Sequence, residues 1–337
     1  MKTNDKLMQF VSKEAKTVLY FFITLCMLSC SSDDDDSRLG NWVDSSVFDG
    51  TPRSSAVAFT IGDKGYMGTG YDGDDYLNDF WSYDMTGNFW SQLADFSGSP
   101  RSSAVAFAVG NQGFVGSGFD GDNELGDFYR YNPSTNSWNP IAEFKGLPRR
   151  AAIAFNSETT GYVGTGFDGD NDRKDFWKYS PETDTWEELV GFGGDKRREA
   201  TTFSIGDKVY MGTGISNGLD QDDFWVFDTT TEVWSPLGDL DTDDYDVKRS
   251  SAVGFSIGDK GYLAGGSISG GVTTSIWEYN PVTDFWDEKT SFEGASRQDA
   301  ITFYNGTKAF VALGRSSNLY LDDNWEFFPL QEENDDD

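Results

Sequence analysis

Residues 52–90 read PRSSAVAFTIGDKGYMGTGYDGDDYLNDFWSYDMTGNFW, and residues 100–138 return almost letter for letter as PRSSAVAFAVGNQGFVGSGFDGDNELGDFYRYNPSTNSW. Four looser copies follow. A fixed period of this length signals an array of small units, none of which can bury its apolar face alone. One arginine per unit sets the register: Arg53, Arg101, Arg149, Arg197, Arg249 and Arg297, spaced by 48 residues except for one step of 52. Tyr83, Tyr131, Tyr179, Phe227, Tyr279 and Phe327 follow their arginines by thirty positions, and Trp90, Trp138, Trp186, Trp234 and Trp286 come seven later. The sixth unit has no such tryptophan. Trp42, however, stands eleven residues before Arg53, as Trp90 stands eleven before Arg101. The last unit therefore borrows its final strand from the N-terminal side.

Within a unit, SSAVAF is a short run with small residues at alternate positions, GDKG or GNQG is a tight hairpin turn, and GYMGTG or GFVGSG is a second strand. An acidic loop, a third strand such as DFWSYD, a polar turn such as NPSTN and a fourth strand at the tryptophan complete it. No stretch has helical periodicity. Four short antiparallel strands per repeat predict an all-β fold, the blades of a β-propeller, with the small residues innermost where blades converge. Each tryptophan buries roughly 150–250 Å², an upper bound of about 4–6 kcal/mol, and its outer position predicts a pin between neighbouring blades.

The order of an arginine-led first strand, glycines ending the second, an aromatic in the third and a tryptophan in the fourth resembles the kelch repeat over residues 42–329. Only Gly265-Gly266 shows the adjacent glycine pair; other units read as Gly68-Thr69-Gly70 does, and the sixth keeps only Gly314. The resemblance implies a six-bladed propeller of kelch type, closed by an N-terminal strand that completes the last blade.

The ends of the chain carry other signals. Lys2, Lys6, Lys13 and Lys16 precede the apolar run Val18–Leu28, which is short for a bilayer span of about 20 residues. Met27-Leu28-Ser29-Cys30 resembles a bacterial lipoprotein cleavage site, in which Cys30 becomes the lipidated first residue. The following SSDDDDS reads as a solvated tether, and it also resembles the acidic export signal of surface lipoproteins of the Bacteroidota. The expected division is a signal peptide over 1–29, an acidic tether over 30–39, the propeller over 40–329 and an acidic tail over 330–337. The expected location is the cell surface, on the outer membrane through the lipid anchor. The net charge of the 337-residue chain is −31, and removing residues 1–29, with four lysines and two acids, takes it to −33. Such a surface repels nucleic acid and favours a soluble monomeric domain.

There is no histidine, and Cys30 is the last cysteine, so Ser-His-Asp and Cys-His nucleophiles and histidine-based metal sites are excluded. A copper centre like that of galactose oxidase, a relative by fold resemblance, is excluded with them. Sialic-acid epimerases resemble the chain in fold, but no motif carries their active residues onto it.

An acid stands 26 residues after five of the arginines, at Asp79, Asp127, Asp175, Asp223 and Asp323, whereas Arg249 meets Ser275. Two readings follow. Either each pair ties strands together, or the six arginines ring the channel mouth and hold an anionic or carbohydrate ligand, as the resemblance to kelch adaptors that bind acidic peptides implies. Arg249, without its carboxylate, is then the first candidate. Symmetry also breaks beside the arginines, where Ser54-Ser55 becomes Arg150-Ala151, Arg198-Glu199 and Gln298-Asp299, and in the insertion Asp241–Val247, where Tyr245 is placed to stack on a sugar. A binding surface on blades three to six follows. The loops at Asp72 and Asp74, Asp120 and Asp122, and Asp168 and Asp170 are either solvated turns or weak calcium sites, the one cofactor the residues suggest. The expected function is a non-catalytic binding module for an extracellular protein or glycan; the alternative is a carbohydrate-active enzyme working with arginine, tyrosine and carboxylates.

Overall fold

The first hairpin turn of a blade is set by one glycine. Gly62 lies between the paired residues Ile61 and Lys64 with φ of 60°, the left-handed conformation that the first central position of a type II′ turn requires. The computed structural model describes residues 38–334, and its elements are strands without a helix. The expected signal peptide with Cys30, most of the expected tether and the last three residues lie outside the described residues.

Six four-stranded antiparallel sheets form the blades of a propeller. Blade one runs Val57–Ile61, Lys64–Gly68, Phe80–Asp84 and Phe89–Gln92 from the axis outward. Blade six takes Ile301–Tyr304, Ala309–Ala312 and Asn324–Glu332 from the end of the chain and Leu39–Asp44 from its beginning. In that seam Trp42 pairs with Phe327 and Asp44 with Trp325. Trp42 is fully buried, its ring 4.6 Å from both Phe292 and Phe327. The closure expected from the displaced tryptophan is therefore present. The seam is longer than expected: it starts at Leu39 and reaches Glu332, so residues 330–332 continue the third strand of blade six. Blades four to six add a short hairpin beyond their second strand, as at Ile215–Ser216 with Leu219–Asp220, which the polar composition of those loops did not announce.

Blades interlock through a ring against a glycine. A Cβ on Gly113 of blade two would lie 2.0 Å from the Phe59 ring of blade one, and one on Gly65 would lie 2.2 Å from Phe303 of blade six. The outer tryptophans do the same with hydrogen bonds: the Trp90, Trp138 and Trp186 indoles donate to the carbonyls of Ser46, Ala94 and Ala142 at 2.8, 3.1 and 3.1 Å. Alanine, threonine and glycine residues of the inner strands line the axial channel.

Candidate functional site

The site is built on the second residue after each inner arginine. Ser55, Ser103, Ala151, Glu199, Ser251 and Asp299 all have φ between 51° and 58°, although none is glycine. What holds them there is a closed circle of backbone hydrogen bonds. The amide of Ser103 donates to the Ser55 carbonyl at 2.9 Å, Ala151 to Ser103 at 2.8 Å and Glu199 to Ala151 at 2.9 Å. Ser251 then donates to Glu199 at 3.2 Å, Asp299 to Ser251 at 3.0 Å, and Ser55 to Asp299 at 2.9 Å. Left-handed non-glycine residues cost about 1–3 kcal/mol each and persist only where surroundings over-determine them. One bond per blade does so here.

Within this rim lies a cup of about 430 Å³ whose floor is alanine. On one side stand Arg150 and Arg198, about a third exposed. They flank Phe167, with guanidinium carbons 5.3 and 5.2 Å from its ring centre, and Arg150 also lies 4.5 Å from Phe119. Glu124 pairs with Arg150 at 3.4 Å and Asp172 with Arg198 at 2.6 Å. Glu199, 3.5 Å from Arg198, and Asp299 also line the cup. The Ser251 hydroxyl donates to Glu199 at 3.0 Å, and Arg315 holds Asp299 at 3.1 Å. Burial first, and then the Asp299 charge, raise the pKa of Glu199 above the usual carboxyl value, against the hydrogen bond from Ser251 and the charge of Arg198. At another level of the channel, Tyr304 of blade six and Ser204 of blade four line the wall, where other blades have Thr60, Ala108 or Asn156.

The family described as the KLHDC2/KLHL20/DRC7 Kelch-repeats domain matches residues 36–154 of the chain. A solved structure, titled "Structure of YjhT", superposes with a TM-score of 0.71 at 17% identity, covering 82% of this chain and 95% of that one. No curated protein matches it in sequence. The fold is a six-bladed kelch propeller.

In this kelch propeller the six inner arginines do not ring the mouth, contrary to the ligand-binding reading. Arg53, Arg101, Arg149, Arg197, Arg249 and Arg297 are at most 2% exposed. Arg149 shows why: its guanidinium bonds both Asp175 oxygens at 3.0 and 2.7 Å, the Thr165 carbonyl at 2.9 Å and the Leu147 carbonyl at 3.0 Å, and it lies 5.3 Å from the Phe144 ring centre. Four of its five N–H donors are spent on these partners. Arg249 is equally buried.

Tyr245 is also corrected. It is 9% exposed and packs its ring 5.2 Å from Phe285 and 6.4 Å from Trp277, which leaves no free face for a sugar. The acidic loops spend their first carboxylate on themselves: Asp72 accepts from the amides of Asp74 and Asp75, Asp120 from Asp122 and Asn123, and Asp168 from Asp170 and Asn171. Asp74, Asp122 and Asp170 point to solvent, and among the described residues no group of three acidic, histidine or cysteine side chains is gathered for a metal.

Of the residues singled out in sequence, the structure brings Arg150 and Arg198 together at the cup, with Glu199 and Asp299. Sequence reasoning missed Glu124 and Asp172. Their signal was the spacing of 26 residues to Arg150 and Arg198, which places an acid of one blade beside the rim arginine of the next.

Proposed function

We propose that this kelch propeller is a non-catalytic capture module, lipid-anchored through Cys30 on the outer face of the outer membrane, that holds an acidic extracellular glycan or protein segment in the cup. The observation that carries the reading is the convergence of Arg150 and Arg198 on one wall of a rim fixed by backbone bonds. An anionic group suits that wall, and the hydroxyls of Ser55, Ser103 and Ser251 with the carboxylates of Glu199 and Asp299 suit the hydroxyl groups of a sugar. The double variant Arg150→Ala, Arg198→Ala tests it on a glycan array and by titration of the ligands found. Each lost charge-assisted bond is worth about 1.5–3 kcal/mol, so affinity is expected to fall at least roughly tenfold. Unaltered binding would exclude the cup.

The anchor has its own test. Metabolic labelling with a fatty acid is expected to mark the chain and to lose the mark in Cys30→Ser; equal labelling of both would remove the lipoprotein reading.

A second reading, an epimerase- or lyase-like enzyme, is favoured by one observation, the raised pKa of Glu199 beside Arg198. There Glu199→Gln would abolish turnover of an acidic sugar while leaving its binding, whereas a capture module shows no turnover to lose.

A further inference from the structure

Four blades hold their inner arginine through one shared carboxylate. In blades one, three, four and six the aspartate accepts both from the guanidinium and from the indole of the tryptophan two residues beyond it; Asp175 takes Arg149 at 2.7 Å and Trp177 at 2.8 Å. In blade two Tyr129 stands in the tryptophan's place, and Asp127 still takes Arg101. Blade five keeps both donors and lacks the acceptor. Ser275 occupies the aspartate position, and Leu240 stands where the other five blades have the phenylalanine that stacks on the arginine.

The consequences are visible atom by atom. Arg249 is fully buried; its Nε donates to Val247 at 3.0 Å and its Nη1 to the carbonyls of Gly265 at 3.0 Å and Ser275 at 3.3 Å. Its Nη2 has no partner, and neither has the buried Nε1 of Trp277, the residue in the repeat position of Trp177. The Ser275 hydroxyl accepts from Thr273 at 3.1 Å, which frees its own proton to donate. Burial lowers the Arg249 pKa to about 10, so the group stays a cation at neutral pH, and Asp246 and Glu288 oppose that shift only through space.

We propose that blade five binds a halide-sized anion, chloride in ordinary media, at the place of the missing aspartate carboxylate, held by Arg249 Nη2, Trp277 Nε1 and the Ser275 hydroxyl. The arginine and indole donors are the pair that holds a carboxylate elsewhere in the same molecule. The size follows from the exchange itself, because serine gives up both carboxylate oxygens and restores one hydroxyl, room for a monatomic ion rather than a tetrahedral oxyanion. Arg249 is too deeply buried for the side chain of a partner to serve instead. The site is separate from the cup and stands whether or not the cup binds a glycan.

Thermal unfolding of the full chain at constant ionic strength, exchanging gluconate for up to 100 mM chloride or bromide, reads the site out, together with anomalous scattering from bromide-grown crystals. The wild type is expected to gain about 3 °C or more in halide, by mass action on the folded state. It is also expected to show a bromide peak between Arg249 and Trp277. Ser275→Asp, which supplies the carboxylate of the other blades, is expected to melt higher in gluconate and to lose the halide response. Trp277→Phe keeps the charge and removes one donor, and is expected to bind halide several-fold more weakly. The proposal fails if either wild-type signal is missing, if an ordered water occupies the place in bromide, or if a folded Ser275→Asp or Trp277→Phe responds to halide as the wild type does.

Discussion

Trp42→Ala is expected to lower the unfolding free energy by about 3–5 kcal/mol, the range for removing a buried aromatic side chain where neighbours cannot collapse into the gap. The gap here is walled by Phe327 and the strand that carries it, and by Phe292, whose amide is held by the Thr274 carbonyl at 2.8 Å. The loss should exceed that of a central-strand substitution of equal size for a second reason. Leu39–Asp44 is the outer strand of blade six, paired with Asn324–Glu332 and tied to the blade-five connection by the Thr290 amide on the Leu39 carbonyl and by Glu293 on the Trp42 amide, so loosening it frees segments from both halves of the sequence together. Deleting residues 39–44 leaves the Asn324–Glu332 edge unpaired, and the expected product self-associates through that edge. Urea titration of the substitution and light scattering of the deletion measure these effects. A Trp42→Ala protein within about 1 kcal/mol of the parent would mean that the seam does not hold the ring closed.

The second large effect concerns the inner arginines. Asp175→Ala is expected to cost about 3–5 kcal/mol, because Arg149 then keeps its charge inside the blade with no counter-ion. Replacing Arg149 and Asp175 together by leucine and alanine should cost less than Asp175→Ala alone, which denaturant titration of the three proteins would show; a double variant weaker than the single would refute the pairing argument. The same pairs govern acid stability. Burial works to raise the pKa of Asp79 and Asp175, but hydrogen bonds and charge from Arg53 and Arg149, with the Trp81 and Trp177 indoles, outweigh it and leave both carboxyls below 3.8. A group depressed in the folded state contributes its stability above the unfolded pKa and loses it as pH falls through the folded value. The propeller should therefore hold its stability above about pH 4 and lose it progressively below.

Much of this was written in the chain. The period, the tryptophan that stands eleven residues before Arg53 and the 26-residue interval between arginine and aspartate are distances along a sequence, and repetition turns them into distances in space. Ser275 was visible for the same reason. What could not be read was direction. An arginine at the head of an inner strand can turn to the channel or into its own blade, and the choice was made by partners that no spacing rule advertised: a phenylalanine five residues earlier and a carbonyl sixteen residues later. Tyr245 misled in the same way, since its acidic neighbours suggest solvent while Trp277 and Phe285 come from distant positions to cover it. The rim itself was hidden because serine, alanine, glutamate and aspartate do not announce a left-handed backbone as glycine does.

The circle of amides at the mouth separates shape from chemistry. Six sockets keep their places through main-chain atoms alone, so the side chain plugged into each can be exchanged without redrawing the others. A hydroxyl, a methyl and two acids already sit in equivalent sockets of one molecule. Such a scaffold can acquire a new taste in ligands one position at a time, while the cost of standing upright is met elsewhere in the protein.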